Sequence, residues 1–335
     1  MVKTALLLAL LMGSIAFAEE APAVTVAALK RTDGREAFRV SDGKTEAVVV
    51  PSLGRVMQYG PVGGANWLWI APADKVDMNG WKNFGGEKVW VSPQSTWPAY
   101  IGRPFPPDES WESGHEARVL DNPPRLQTTS PVSKCGVRII REFSFNGSGE
   151  FVTSTTLEKM DDTPLIAGAW TVTQIPPPDA VFLPTSEASV YKNNVYKWSR
   201  KTVGNITNVT PSLIRVIPTT GGAYKIGVDA PVAAIAAVRN GVVLLQRTER
   251  TDGKYPDGPE ESGFPVELFD LGQADRHYLE LELLSPVSPM AKGKRITFTV
   301  RWSLHSMPSQ DVESAETSQS IDTLFRPPEA NRERR

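Results

Sequence analysis

The chain has 335 residues, 36 Lys and Arg against 38 Asp and Glu, three His, one Cys and nine Trp, with a formal charge of −2. At about 100–200 residues per domain, that length holds one large domain or two ordinary ones, and its core needs no disulfide or metal staple. The charge balance leaves no broad basic footprint for nucleic acid or anionic membrane, and 40% hydrophobic with 22% charged residues excludes a mostly disordered chain.

Residues 1–18 read as an export signal. Lys3 gives the positive start, Thr4 to Phe17 is an apolar run broken only by Gly13 and Ser14, and Ala16-Phe17-Ala18 is a small-x-small cleavage pattern. The run is shorter than the roughly 20 apolar residues a bilayer span needs, and no later stretch reaches that length. The expectation is a periplasmic or secreted protein without a membrane span, cleaved after Ala18. Residues 19–35 then form an N-terminal extension, 36–308 one large domain, and 309–335 a polar tail that frays.

The body of the chain reads as strands, so the expected class is all-β. Thr45 to Val50, Val137 to Phe145, Phe151 to Leu157, Ala167 to Thr173, Val232 to Val238, Val242 to Gln246, Tyr278 to Leu284 and Arg295 to Leu304 are alternating or β-branched. Asn146-Gly147-Ser148-Gly149 and Asn240-Gly241 are hairpin turn signals. Short helices are expected only near Pro72 to Met78 and Ser309 to Leu324. The 28 prolines fit short strands joined by stiff loops. Cys135, the only cysteine, reads as a small buried side chain at a turn entering a strand.

Six of the nine tryptophans, Trp67, Trp69, Trp81, Trp90, Trp97 and Trp111, fall in one segment, interleaved with Asn83, Glu87, Lys88 and Gln94. Indole stacks on the apolar C–H face of a sugar while amides and charges take its hydroxyls, so the segment suits a carbohydrate. The competing reading is that the rings pack the core and pin long loops. In Tyr278 to Leu283, alternation puts Glu280 and Glu282 on one face and leucines on the other. The strand from Thr297 likewise alternates an apolar set with Thr299, Arg301, Ser303 and His305, giving a face that is either a solvated surface or the lining of a groove. No zinc-type spacing, phosphate loop or serine-hydrolase elbow occurs, so no metal or cofactor is expected.

Pro51 to Val56, Asn83 to Gln94, Gly136 to Ile139, Trp170 to Gln174 and Glu280 to Pro286 together resemble a bacterial family of unknown function within the galactose mutarotase-like superfamily. The resemblance covers roughly residues 40–305. It implies a β-supersandwich: two large antiparallel sheets with a sugar-sized groove on one concave face. Aldose 1-epimerases, sugar isomerases and domains of polysaccharide-degrading enzymes share that superfamily. An aldose epimerase uses two histidines and a late glutamate. Here His115 fits the first histidine, but no His occurs between His115 and His277, and the Asn-Pro motif is missing.

The resulting expectation is saccharide recognition, with epimerase- or lyase-like chemistry left open. Glu282 is the first candidate base, Glu280 the second, and His115 the acid. Trp81, Glu87 and Trp90 are expected at one rim of a groove receiving Glu280 or Glu282, with Asn83, Lys88, Gln94, Trp97 and Arg301 as further binding residues. The bland alternative makes His115 a surface histidine and pairs Glu282 with Arg301 across a sheet. From a different class, the alternative function is a structural or assembly domain that binds a partner protein.

Overall fold

The computed structural model describes residues 23–78, 80–198, 205–259 and 263–326. The expected signal segment, residues 1–18, lies outside them, as does the tail beyond 326. Among the described residues, strands form antiparallel sheets of eleven and ten strands and a two-stranded ribbon, Asp77–Met78 with Trp81–Lys82. The all-β, two-sheet expectation is met. No helix among them is long and apolar enough to cross a membrane.

Alternation builds both sheets. Val137–Phe145 buries every second residue, so Val137, Ile139, Arg141, Phe143 and Phe145 face inward. It pairs with Phe151–Lys159 through the turn at Asn146, whose Oδ1 accepts hydrogen bonds from the Ser148 and Glu150 amides at 3.1 and 2.9 Å. Asn240 and Gly241 both hold positive φ, 51° and 71°, which lets a two-residue turn follow the strand twist between Ala234–Arg239 and Val242–Thr248.

The centre of the larger sheet is Leu165–Ile175, flanked by Glu87–Ser92 and Leu279–Leu284. These strands are almost wholly buried. Their inner face gives Val89, Val91, Ala169, Leu281 and Leu283 to one continuous core shared with Phe143, Phe151, Leu244, Val300 and Trp302 of the smaller sheet. Buried polar links cross that core: Gln246 Nε2 donates to Thr173 Oγ1 at 3.0 Å, and Arg141 meets Glu87 at 2.6 and 2.7 Å.

Part of the outer face of the smaller sheet is covered as well. Residues 315–325, expected to fray with the tail, instead form helix Ala315–Phe325, in line with the helix expected near Ser309 to Leu324. Its Ile321 and Phe325 pack on Ala180, Phe182, Val243 and Leu245. Ser314 Oγ caps it by accepting from the Thr317 amide at 3.1 Å, satisfying one of the donors left free in a first turn. At the edge of the larger sheet, Thr25–Lys30 pairs with Glu36–Ser41.

Cys135 is buried, with Ser133 Oγ 3.2 Å from its sulfur, and burial raises its thiol pKa. A thiol kept protonated and out of water is a poor nucleophile. We expect no labelling of the native protein by iodoacetamide and full labelling in denaturant, read by intact mass.

Candidate functional site

Residue parity decides which candidates meet. Across the larger sheet, Lys88 sits opposite Val172, Val172 opposite Glu282, and Glu282 opposite Glu267. Directly opposed residues share a face. Trp90, Trp170, Gln174, Glu280 and Lys225 lie on that same outer face by the two-residue period. The sequence-based pairing of Glu280 with Glu282 on one face therefore holds.

Glu87 does not join them. It is one residue out of phase with Lys88 and Trp90, faces the other sheet, and is fully buried against Arg141. The expected rim of Trp81, Glu87 and Trp90 is corrected for that reason. Arg301 is also elsewhere. It lies in the smaller sheet opposite Val152 and Arg247, beside a separate cavity of about 380 Å³ lined by Thr248 and Thr299. Glu282 consequently has no pair with Arg301.

His115 is neither a surface residue nor a partner of the glutamates. It is buried, its Nε2 lies 3.2 Å from the Trp111 carbonyl oxygen, and a Cβ on Gly54 would come within 2.7 Å of it. Burial, with the Arg141 charge nearby, lowers its pKa to about 4. The ring is therefore neutral at pH 7, and it hydrogen-bonds neither Glu280 nor Glu282.

The tryptophan segment is mostly core. Trp81, Trp90 and Trp97 are 7%, 4% and 2% exposed. They pack edge to face: Trp81 on Trp90 at 6.0 Å, Trp90 on Trp97 at 5.8 Å and on Trp170 at 5.0 Å. At roughly 25 cal/mol per Å² over about 150–250 Å², each buried indole contributes up to about 4–6 kcal/mol, which outweighs leaving it open for a ligand. Glu112 organises the row, accepting from Trp81 Nε1 at 2.7 Å, Trp90 Nε1 at 2.8 Å and Arg55 at 3.0 Å. Trp97 Nε1 donates to the Val91 carbonyl oxygen at 2.8 Å. Asn83 is fully buried and accepts from the Gly85 amide at 3.2 Å. The expectation that these four side chains contact a ligand directly is corrected to a structural role for Trp90, Trp97 and Asn83, while Trp81 keeps an edge on a cavity.

Lys88 is enclosed too. Its Nζ is 3.5 Å from Glu280, 5.0 Å from the Trp90 ring centre and 5.7 Å from that of Trp81. Burial lowers its pKa to about 8. Glu280, whose pKa burial raises, also accepts from Gln174 Nε2 at 2.8 Å.

The open part of this face is centred on a residue that sequence reasoning missed. Lys225 Nζ lies 2.6 Å from Glu267 and 2.8 Å from Glu282, and its side chain remains 23% exposed. The ammonium sits 4.6 Å from the Trp170 ring centre and 5.5 Å from that of Trp198. Trp170 Nε1 donates to Glu282 Oε2 at 2.7 Å. Burial raises both carboxyls, Glu282 to about 7. Burial opposes the Lys225 charge, but the two carboxylates hold its pKa above the usual lysine value.

A cavity of about 420 Å³ opens over this cluster, lined by Trp170, Trp198, Lys225, Glu267, Asp257 and Gln94 among others. Asp257 accepts from the Gln94 and Ser95 amides at 2.5 and 3.3 Å, fixing the loop at the mouth. Gln94, expected from the sequence to bind substrate, does line this cavity. Trp198 is 37% exposed, whereas the six clustered tryptophans reach at most 9%. The arrangement presents one open indole face, a cation and carboxyl oxygens within one concavity.

No family model matches the chain, and no curated protein matches it significantly. Solved structures do. A TPR-domain containing protein from Parabacteroides distasonis superposes with a TM-score of 0.56 at 14% identity over 90% of this chain, and this chain spans only 50% of that protein. A galactose mutarotase-like protein from Lactobacillus casei gives 0.53 at 8% identity, covering 84% of this chain and all of that one. One from Clostridium acetobutylicum gives 0.52 at 10% identity, covering 85% of this chain and 99% of that one. Likeness at such identities shows the fold, which is galactose mutarotase-like, and leaves the chemistry to the residues.

Proposed function

We propose that this is an exported protein, periplasmic or secreted, that recognises a saccharide in the cavity between Trp170 and Trp198. The observation that carries the reading is Lys225, an ammonium fixed by two carboxyls yet still open to a cavity walled by indole. A sugar ring has an apolar face for Trp198 and a rim of hydroxyls for Lys225, Glu267 and Asp257. Ligand sites are concave, mostly apolar and furnished with few convergent polar groups, and this cavity has that composition. A partner protein would be better served by a flat apolar patch. Chemistry on the bound sugar, of the epimerase type, would draw on Glu282, which stands behind Lys225 and Trp170 and whose pKa of about 7 lets it give and take a proton near neutral pH.

The test is a glycan array followed by thermal-shift titration. A saccharide should raise the melting temperature, and Trp198→Ala should weaken its binding about tenfold or more, as truncating a central aromatic contact does. Absence of any saccharide response, or an unchanged Kd in Trp198→Ala, would defeat the reading.

A further inference from the structure

We infer that the ligand of this site is an oligosaccharide, one residue in this cavity and another, further along the chain, in a separate cavity across a narrow strap of chain. The inference rests on the saccharide reading above and goes further, because a monosaccharide would fill only one of the two cavities.

The second cavity is the larger, about 580 Å³, and is lined by Trp81, Phe84, Arg35, Lys82 and Arg103 among others. The strap of residues 103–107 borders both cavities. Pro104 lines the Trp198 cavity, while Arg103, Pro106 and Pro107 line the second. Beneath the strap runs the aromatic row that joins them: Trp81 to Trp90 at 6.0 Å and Trp90 to Trp170 at 5.0 Å. Both cavities thus border one buried aromatic row, the first at Trp170 and the second at Trp81.

The strap presents a contact of its own. Phe105 packs on Trp81 at 5.1 Å and on Trp90 at 6.4 Å, yet is 42% exposed. A phenyl ring half buried on two indoles and half open to solvent is an apolar step between the two concavities. A sugar chain crossing it needs no movement of the strap, which is pinned by Arg103 donating to the Pro106 carbonyl oxygen at 3.1 Å and Gln94 donating to that of Pro104 at 3.1 Å.

Both ends carry charged hydrogen-bonding groups. Around Lys225 they include carboxyl acceptors for sugar hydroxyls, and the second cavity holds the donors Arg35, Lys82 and Arg103 beside the carboxylates of Glu109 and Glu112. An exposed phenyl ring between two concavities, each with charged hydrogen-bonding groups, matches a linear chain of sugar rings.

Isothermal titration with cello-, malto- and galacturono-oligosaccharides of increasing length, from the monosaccharide upward, tests this. In the series that binds, affinity should rise about tenfold or more between the single sugar and the longer chains, since a linked second contact binds at high effective concentration. The double variant Arg35→Ala/Lys82→Ala, checked for an unchanged melting temperature, should remove most of that gain. Trp198→Ala should weaken every length alike. Affinity that ignores chain length, while still lost in Trp198→Ala, overturns the two-cavity inference and spares the pocket. A length gain that survives the double variant also overturns it. No binding at any length overturns both readings.

Discussion

Arg141→Met should destabilise the protein by about 3–5 kcal/mol, the cost of leaving a buried ionised partner unpaired. Arg141 and Glu87 are each 1% exposed, and two hydrogen bonds of 2.6 and 2.7 Å join them between the sheets. The guanidinium also lies 4.8 Å from the Phe143 ring centre, so methionine keeps part of the packing while the charge is lost. The double variant Glu87→Leu/Arg141→Met separates the two contributions. Replacing a whole buried pair with apolar residues is often neutral, so it should recover most of the lost stability in urea unfolding. If the double variant is no more stable than the single one, packing and not charge holds this point of the core.

This pair also shows how far the sequence could be read. Alternation alone identifies Val137–Phe145 as a two-faced strand and places Glu280 with Glu282, because the period of a strand is a local property. The same rule separates Glu87 from Trp90, which stand three residues apart in one strand. Treating residues 81–97 as an aromatic cluster instead of a strand and its loop hid that separation. Whether a polar face is wet is not local. The face bearing Glu280 and Lys88 is covered by chain that folds back over it, and only tertiary structure shows that the clustered tryptophans bury one another. Trp198 carried no such signal, since it stands apart from the cluster. Glu267 could have been flagged as a carboxylate between apolar neighbours in the strand Val266–Asp270. Its meeting with Lys225 depends on strand order, and sequence spacing does not encode that order.

Lys225→Met should weaken saccharide binding by about ten- to a hundredfold, the scale of a charged hydrogen bond, and should change how stability depends on pH. In the wild type, burial raises Glu282 from the usual carboxyl value of 4.5 to about 7. The folded state then holds a proton that the unfolded state has released, so this group makes stability fall as pH rises from about 4.5 to about 7. Lys225 limits that fall, because its ammonium favours the ionised forms of Glu282 and Glu267. Its own pKa is raised in the fold, so its contribution is complete below the unfolded value of 10.5 and is lost only above it. Without the ammonium both carboxyls rise further, and the loss of stability should steepen and extend to higher pH. Urea midpoints measured between about pH 5 and 8 read the slope directly. Adding Glu282→Gln to Lys225→Met should reduce it to the part that Glu267 supplies, since the amide has no proton to lose. A slope that Lys225→Met leaves unchanged would mean that the ammonium does not control the protons of this pair, and the acid–base reading of Glu282 would fall with it.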